Sequence, residues 1–307
     1  MKIFQSFSAP ALSQKIGYIL AFCGAVAFSA KAIFVKLAYE YEVDSVSFLA
    51  IRMLFALPLY LLILAFSKKK IPERESITWL DWLGIIFFGL IGYYFASWLD
   101  FIGLQYVTAS LERLILFTYP TFTLLISVIF LGQKIQKIQI LAVLLTYSGI
   151  SLAFINDLQL YEQKDVWTGA SFILGSALVF AVYLNGTGKL IQKFGTLHYT
   201  TLSMTAAGVG VLVHTYFYNQ LNIWDFKTEV YSLGALTGIF STVISSFMFS
   251  AGIRRVGASN ASLVGSIGPV STIIMASIFL NEAITLPQIF GTVLVISGIL
   301  TLSIYKK

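Results

Sequence analysis

The chain has 307 residues, of which 58% are hydrophobic and 11% charged, against a charged share of roughly 25% in soluble globular domains. Its net charge of +6 raises nucleic acid as a partner, but the basic residues follow the membrane alternation described below and make no nucleic-acid face. One cysteine (Cys23) and two separated histidines (His198 and His214) exclude a disulfide framework, a thiolate metal site and a zinc centre.

Apolar runs of about 18–23 residues recur from end to end, each enough to cross a hydrocarbon core of roughly 30 Å as a helix. In chain order they are residues 16–35, 46–66, 82–104, 110–131, 138–155, 166–184, 200–218, 233–253, 261–280 and 286–304. The expected fold is therefore an all-α integral membrane protein with ten transmembrane helices. The connections are short and leave no room for a soluble catalytic domain, so a functional site has to lie between the helices.

Charge sets the orientation. With the N-terminus in the cytoplasm and sides alternating, fourteen lysines and arginines fall on inner segments, among them Lys68, Lys69, Lys70, Arg74, Lys134, Lys137, Arg254 and Arg255. The outer loops hold only Lys36, Lys164 and Lys227, together with acidic residues such as Asp44, Asp157, Asp225 and Glu282. This is the positive-inside bias of a multi-pass protein of the cytoplasmic (inner) membrane, with both termini cytoplasmic. A signal peptide cleaved near Ala27-Phe28-Ser29 is the competing reading of the first run. Its removal would leave nine crossings and spoil the alternation.

The last third of the chain repeats the middle third. Residues 107–154 align without a gap on residues 256–303, at an offset of 149, with 16 of 48 positions identical. The pairs include Ala109/Ala258, Ser110/Ser259, Pro120/Pro269, Thr123/Thr272 and Gly149/Gly298, and the register extends upstream through Gly89/Gly238 and Gly103/Gly252. Shared apolar composition does not produce such a match. Residues 1–155 and 156–307 thus read as two repeats of five crossings each. Five is odd, so the second copy enters the membrane inverted, a plan used by alternating-access carriers.

Enzyme signatures fail on inspection. Gly186-Thr187-Gly188-Lys189 resembles the end of a P-loop, but Tyr183 stands where the first glycine belongs and Leu190 where Ser or Thr should follow. Gly265-Ser266-Ile267-Gly268 is not a nucleophile elbow. No cofactor site is readable, and direct ATP hydrolysis has no loop to serve it.

Three elements carry a family resemblance: the paired five-helix repeats, the pattern Phe28-Ser29…Lys36-Leu37…Ala50-Ile51-Arg52, and the block Ala109-Ser110…Pro120…Phe130-Leu131…Ser148-Gly149. By these the chain resembles the EamA-type members of the drug/metabolite transporter superfamily, over essentially all ten segments. The resemblance implies a small-metabolite carrier of the cytoplasmic membrane, commonly an exporter, with its substrate between the repeats. Lys36 and Arg52 stand where the family usually carries a Lys and an Arg. Lys31 and the Glu112-Arg113 pair depart from that pattern and point to a substrate-specific subgroup.

A charge near the centre of the hydrocarbon region costs at least about 2.5–3.5 kcal/mol and ordinarily faces a cavity or a partner. Lys31, Arg52, Asp100, Glu112 and Arg113 are five such residues, all in the first repeat. At about 1.5 Å per residue, Arg52 lies roughly 9 Å and Lys31 roughly 6 Å below the outer edge of its helix. Each has two readings. Lys31 either snorkels to the interface or lines a cavity and meets an anionic group of the cargo. Arg52 either clamps backbone carbonyls or contacts ligand. Asp100, Glu112 and Arg113 either form an interfacial cluster or act in the site, with Arg113–Asp100 and Lys31–Glu112 as candidate pairs.

Asp100 and Glu112 are the carboxylates available to carry a coupling proton, and the net +1 of the five charges favours an anionic substrate. With aromatic side chains added, the substrate-binding candidates are Lys31, Arg52, Trp98, Arg113, Tyr119 and Tyr183. Pro120 and Pro269 are expected to kink the middles of symmetry-related helices, as hinges or as static bends. Ala258, Ser262, Gly265, Ser266 and Gly268 form a small-residue packing stripe. The resulting expectation is a secondary transporter of a small organic metabolite (an amino acid, organic acid or similar), with the lipid bilayer as surroundings and room for a homodimer. A lipid-flipping protein without soluble cargo and a membrane-embedded enzyme are the alternatives.

Overall fold

The structure is a computed structural model that describes residues 9–67, 77–132, 134–160, 163–219, 222–256, 261 and 264–304. Among these residues the fold is helical almost throughout and contains no strand. The basic run from Lys68 to Arg74, and Ala258 and Ser262 of the small-residue stripe, lie outside the described residues.

The first half runs α1 (Ala9–Tyr39), α2 (Ser45–Phe66), α3 (Trp79–Gly89), a π-helical segment (Leu90–Phe95), α4 (Ala96–Gly103), α5 (Ala109–Leu116), α6 (Tyr119–Leu131) and α7 (Lys137–Leu160). The second half runs α8 (Gln163–Asn219), α9 (Thr228–Ala235), a second π-helical segment (Leu236–Ile244), α10 (Ser245–Val256), α11 (Gly268–Phe279) and α12 (Leu286–Ile304). Seven helical stretches are long and apolar enough to cross a membrane, and two shorter apolar helices, Gly268–Phe279 and Leu286–Thr301, accompany them. Helix is the form these runs must take, because a bilayer offers no water to unpaired N–H and C=O groups. Starts are marked by side-chain caps. Asp44 accepts from the N–H groups of Val46 (2.9 Å) and Ser47 (3.0 Å), and Thr108 accepts from Leu111 N–H (3.0 Å).

Three features differ from the sequence expectation. Residues 185–199, expected as a connection, are helical on both sides of a break at Gly195 (φ 75°, ψ 151°), where two helices meet, so the connection is shorter than expected. Such a left-handed φ needs glycine. Second, at Pro120 and Pro269 the helix is broken by a full turn rather than bent smoothly, in the first case in the middle of the span Ala109–Phe130. Each occupies the first turn of a new helix, α6 or α11, after a break at 117–118 or 266–267. Proline cannot donate to the preceding turn but fits the first turn of a fresh helix, so the chain stops and restarts. Third, the π-helical segments have no compositional signature and were not foreseen.

Backbone features recur at the offset of the sequence repeat. Adding 149 to the first π-helical segment lands on residues 239–244, inside the second one. The breaks at 117–118 and 266–267 correspond, and so do two left-handed helix ends, Gly132 at φ 65° and Asn281 at φ 54°. Helices α7 and α12 cross at backbone contact. A Cβ on Gly149 would stand 2.3 Å from the carbonyl oxygen of Gly291, and one on Gly298 would stand 2.6 Å from that of Ala142. Gly149 and Gly298 are register partners, as are Ala142 and Gly291, so the two contacts are exchanges of one another.

The main apolar core gathers Phe48, Leu49, Ile51 and Met53 of α2 with Ile33 and Val35 of α1 and Phe101 of α4. Large apolar side chains such as Phe66, Phe130, Trp167 and Phe217 face outward, where lipid rather than water suits them.

Candidate functional site

A cavity of about 470 Å³ lies between the helices, walled by parts of α1, α2, the π-helical segments, α4, α5, α8 and α10. Lys31, Arg52, Asp100 and Arg113 all face it, and Glu112 lies behind Lys31. All five charged side chains are buried. None of them reaches out to the surface of the protein.

Lys31 of α1 donates to Asp100 Oδ2 of α4 and stands 3.7 Å from Glu112 Oε1 of α5. Two carboxylates thus converge on one ammonium. Neither Glu112 oxygen accepts a hydrogen bond, and Asp100 Oδ1 accepts none either. Buried carboxylate oxygens left without a hydrogen bond are costly.

Glu112 and Arg113 leave α5 on different sides, as adjacent helical residues must. Arg113 does not pair with Asp100. It donates from Nη2 to Ser29 Oγ at 3.2 Å, and Ser29 Oγ lies 3.2 Å from the carbonyl oxygen of Gly268. The guanidinium sits 5.0 Å from the Phe28 ring centroid and 5.1 Å from that of Phe117, both in the range of cation–π attraction. A Cβ on Gly268 would lie 2.8 Å from Arg113 Nη2, so a larger residue at the start of α11 would push the guanidinium aside. Arg52 of α2 donates from Nε to Thr242 Oγ1 at 3.0 Å, reaching into the second π-helical segment, and lies over Phe101. It is not clamped on backbone carbonyls.

Of the aromatic candidates, Tyr119 lines the cavity, edge-on to Phe180 with ring centroids 5.3 Å apart. Tyr183 and Trp98 do not form the wall. Tyr183 fills the notch left by Gly92, whose Cβ would otherwise meet its ring at 2.3 Å, and donates to Tyr93 Oη at 2.8 Å. Trp98 packs edge-on against His214 at 5.0 Å. Sequence reading missed Phe28, Phe117 and Phe180, since an apolar ring in a membrane helix carries no signal of which way it points.

Further along α1 from Lys31, hydrogen bonds tie several helix ends together. Glu282, in the connection before α12, accepts from Ala109 N–H (2.8 Å), Ser110 N–H (3.3 Å) and Ser110 Oγ (2.7 Å) at the start of α5. A carboxylate suits a helix N-terminus, where the dipole is positive. Lys36 donates to the carbonyl oxygens of Leu104 (3.1 Å) and Val107 (2.9 Å) past the end of α4, and Tyr39 donates to Phe101 O at 2.7 Å. Glu282 had read only as an outer-loop acid. Its partners are more than 170 residues away in sequence, beyond any local motif. Among the described residues no group of three His, Cys, Asp or Glu could hold a metal ion.

Comparison with known proteins agrees with this architecture. The model of the EamA-like transporter family matches residues 15–155 and again 167–304. The uncharacterized transporter YcbK of Bacillus subtilis (strain 168) is 31% identical over 281 residues, covering 90% of this chain and 88% of its own. The uncharacterized transporter YyaM of the same organism is 29% identical, with 79% of each chain covered. A solved structure titled "Crystal structure of protein" superposes with a TM-score of 0.63 at 15% identity, covering 93% of this chain and 95% of that one, and speaks to fold alone. The chain belongs to the EamA-like transporter family and is a multi-pass membrane transporter, not an enzyme.

Proposed function

We propose that the protein is a secondary transporter that exports a small organic metabolite across the cytoplasmic membrane by alternating access between two inverted five-helix repeats, residues 1–155 and 156–307. Ten crossings follow if the seven long stretches are joined by the two shorter apolar helices and α8 is counted as two, divided at Gly195. The exchanged contacts of Gly149 with Gly291 and of Gly298 with Ala142 support a two-fold relation between the repeats. The charge bias puts both termini in the cytoplasm. In that orientation Glu282, Lys36 and Tyr39 close the outer end, and the cavity extends towards Thr200, Ile253 and Gly265 on the cytoplasmic side. Cargo would load from the cell interior.

The observation that carries this reading is a metabolite-sized cavity, within the usual range of about 300–1,000 Å³ for ligand pockets, walled by both repeats and holding buried charges. Asp100 and Glu112, sharing one ammonium, are the groups that would carry a coupling proton. The test is a screen of purified protein in proteoliposomes against amino acids, organic acids, nucleobases and amphipathic cations. The expected outcome is saturable exchange of one class that responds to an imposed pH gradient. Failure to exchange any class above empty liposomes would count against the transporter mechanism.

A further inference from the structure

The cavity holds more positive charge than its own carboxylates use. Lys31 is engaged by Asp100 and Glu112, which leaves Arg52 and Arg113. Neither has a carboxylate within ion-pair distance among the described residues: Arg52 gives its Nε to Thr242 and Arg113 its Nη2 to Ser29, both neutral hydroxyls. Arg52 Nη1 and Arg113 Nε have no acceptor at all, on side chains only 3% and 4% exposed that border the cavity. An unsatisfied buried donor is costly, more so on a charged group. Guanidinium groups held this way suit a carboxylate, whose two oxygens match their fork.

The surroundings narrow the ligand further. Phe28 and Phe117 flank Arg113, and Tyr119 and Phe180 stand edge to face on the same cavity. Such walls receive a flat apolar body. Arg52 and Arg113 are the buried cations of the cavity that have no carboxylate of their own among the described residues, which calls for an anionic group on the ligand. The volume of about 470 Å³ has room for roughly fifteen water-sized groups at about 30 Å³ each, the size of a bicyclic acid.

Resting on the reading of this cavity as the cargo site, we propose that its cargo is an aromatic carboxylate. The carboxylate is taken by the Arg113 and Arg52 guanidinium groups, and the ring lies among Phe28, Phe117, Tyr119 and Phe180.

Three isosteric probes test this on the purified full chain by titration calorimetry: 2-naphthoate, 2-naphthamide and 2-naphthylmethylammonium. The naphthoate should bind at least tenfold more tightly than the amide, with the ammonium weakest. In Arg113→Gln or Arg52→Gln the naphthoate-to-amide ratio should fall tenfold or more while the amide keeps its affinity. Because the ratio is taken within one variant, retained amide binding also reports an intact cavity. Equal or tighter binding of the amide or the ammonium, no binding of naphthoate to the wild type, or an unchanged ratio in both variants would overturn the assignment. Proteoliposome exchange separates it from the transport reading. Naphthoate that binds as described but is not exchanged leaves the anion site standing and removes the transporter mechanism. Exchange of the ammonium alone does the reverse.

Discussion

Lys31 is the one cation shared by Asp100 and Glu112, and its removal leaves two buried carboxylates facing each other. Breaking a buried pair from one side typically costs about 3–5 kcal/mol. Lys31→Met should therefore melt well below the wild type in detergent. Glu112→Gln removes the surplus carboxylate and leaves one ammonium with one carboxylate, so its stability should stay within about 1 kcal/mol of the wild type. It should retain substrate exchange but lose the response to a pH gradient. A Lys31→Met protein that melts like the wild type at pH 8 would show that the triad is not energetically coupled. All five buried charges were visible in the sequence as intramembrane residues. Their partners were not: Lys31–Glu112 proximity was anticipated, whereas Arg113 was set against Asp100 and instead lies on Ser29. Helix rotation and tilt decide such pairings, and an apolar run on a membrane helix leaves both undetermined.

At the scale of the elements, apolar helices were legible because bilayer thickness fixes the length of an apolar run, and among the described residues seven helical stretches are long and apolar enough to cross. The connection at 185–199 was read too long, because Gly186, Gly188, Lys189 and Lys193 look polar while the break itself falls at Gly195. Helix continues through them since a glycine costs only about 1 kcal/mol there. Packing also rewards it: Lys193 bonds Asp81 at 3.0 Å and Phe194 lies edge-on to Trp82 at 5.2 Å. The α7–α12 crossing offers a sharper test of what glycine does. Gly149→Val would drive a side chain into the Gly291 carbonyl and the Val295 backbone, which forces two helices apart. Helical Gly188 has nothing within 4 Å of its missing Cβ, so Gly188→Ala should stabilise by up to about 1 kcal/mol through helix propensity. Detergent melting curves should show Gly149→Val strongly destabilised or unrecoverable, with Gly188→Ala at or above the wild type. Comparable stability of both variants would refute the close crossing.

For the whole molecule, the offset of the sequence repeat recurs in the backbone, down to the left-handed ends at Gly132 and Asn281. The repeat did not foretell the seal, because Glu282 and Ser110 come together only through the fold. A carrier that alternates must open this seal while closing the opposite end, and a local latch need not. Glu282→Ala removes the carboxylate that holds the start of α5, a helix-terminus interaction worth up to about 2 kcal/mol when partly buried, and should shift the population towards an outward-open form. The direct measurement is electron–electron double resonance in nanodiscs, in a Cys23→Ala background. One spin-label pair goes at exposed Glu40 and Ala283, another at exposed Lys134 and Arg254. Alternating access predicts that Glu282→Ala lengthens the Glu40–Ala283 distance and shortens the Lys134–Arg254 distance together. Lengthening of the first without shortening of the second, or no change in either, would contradict it.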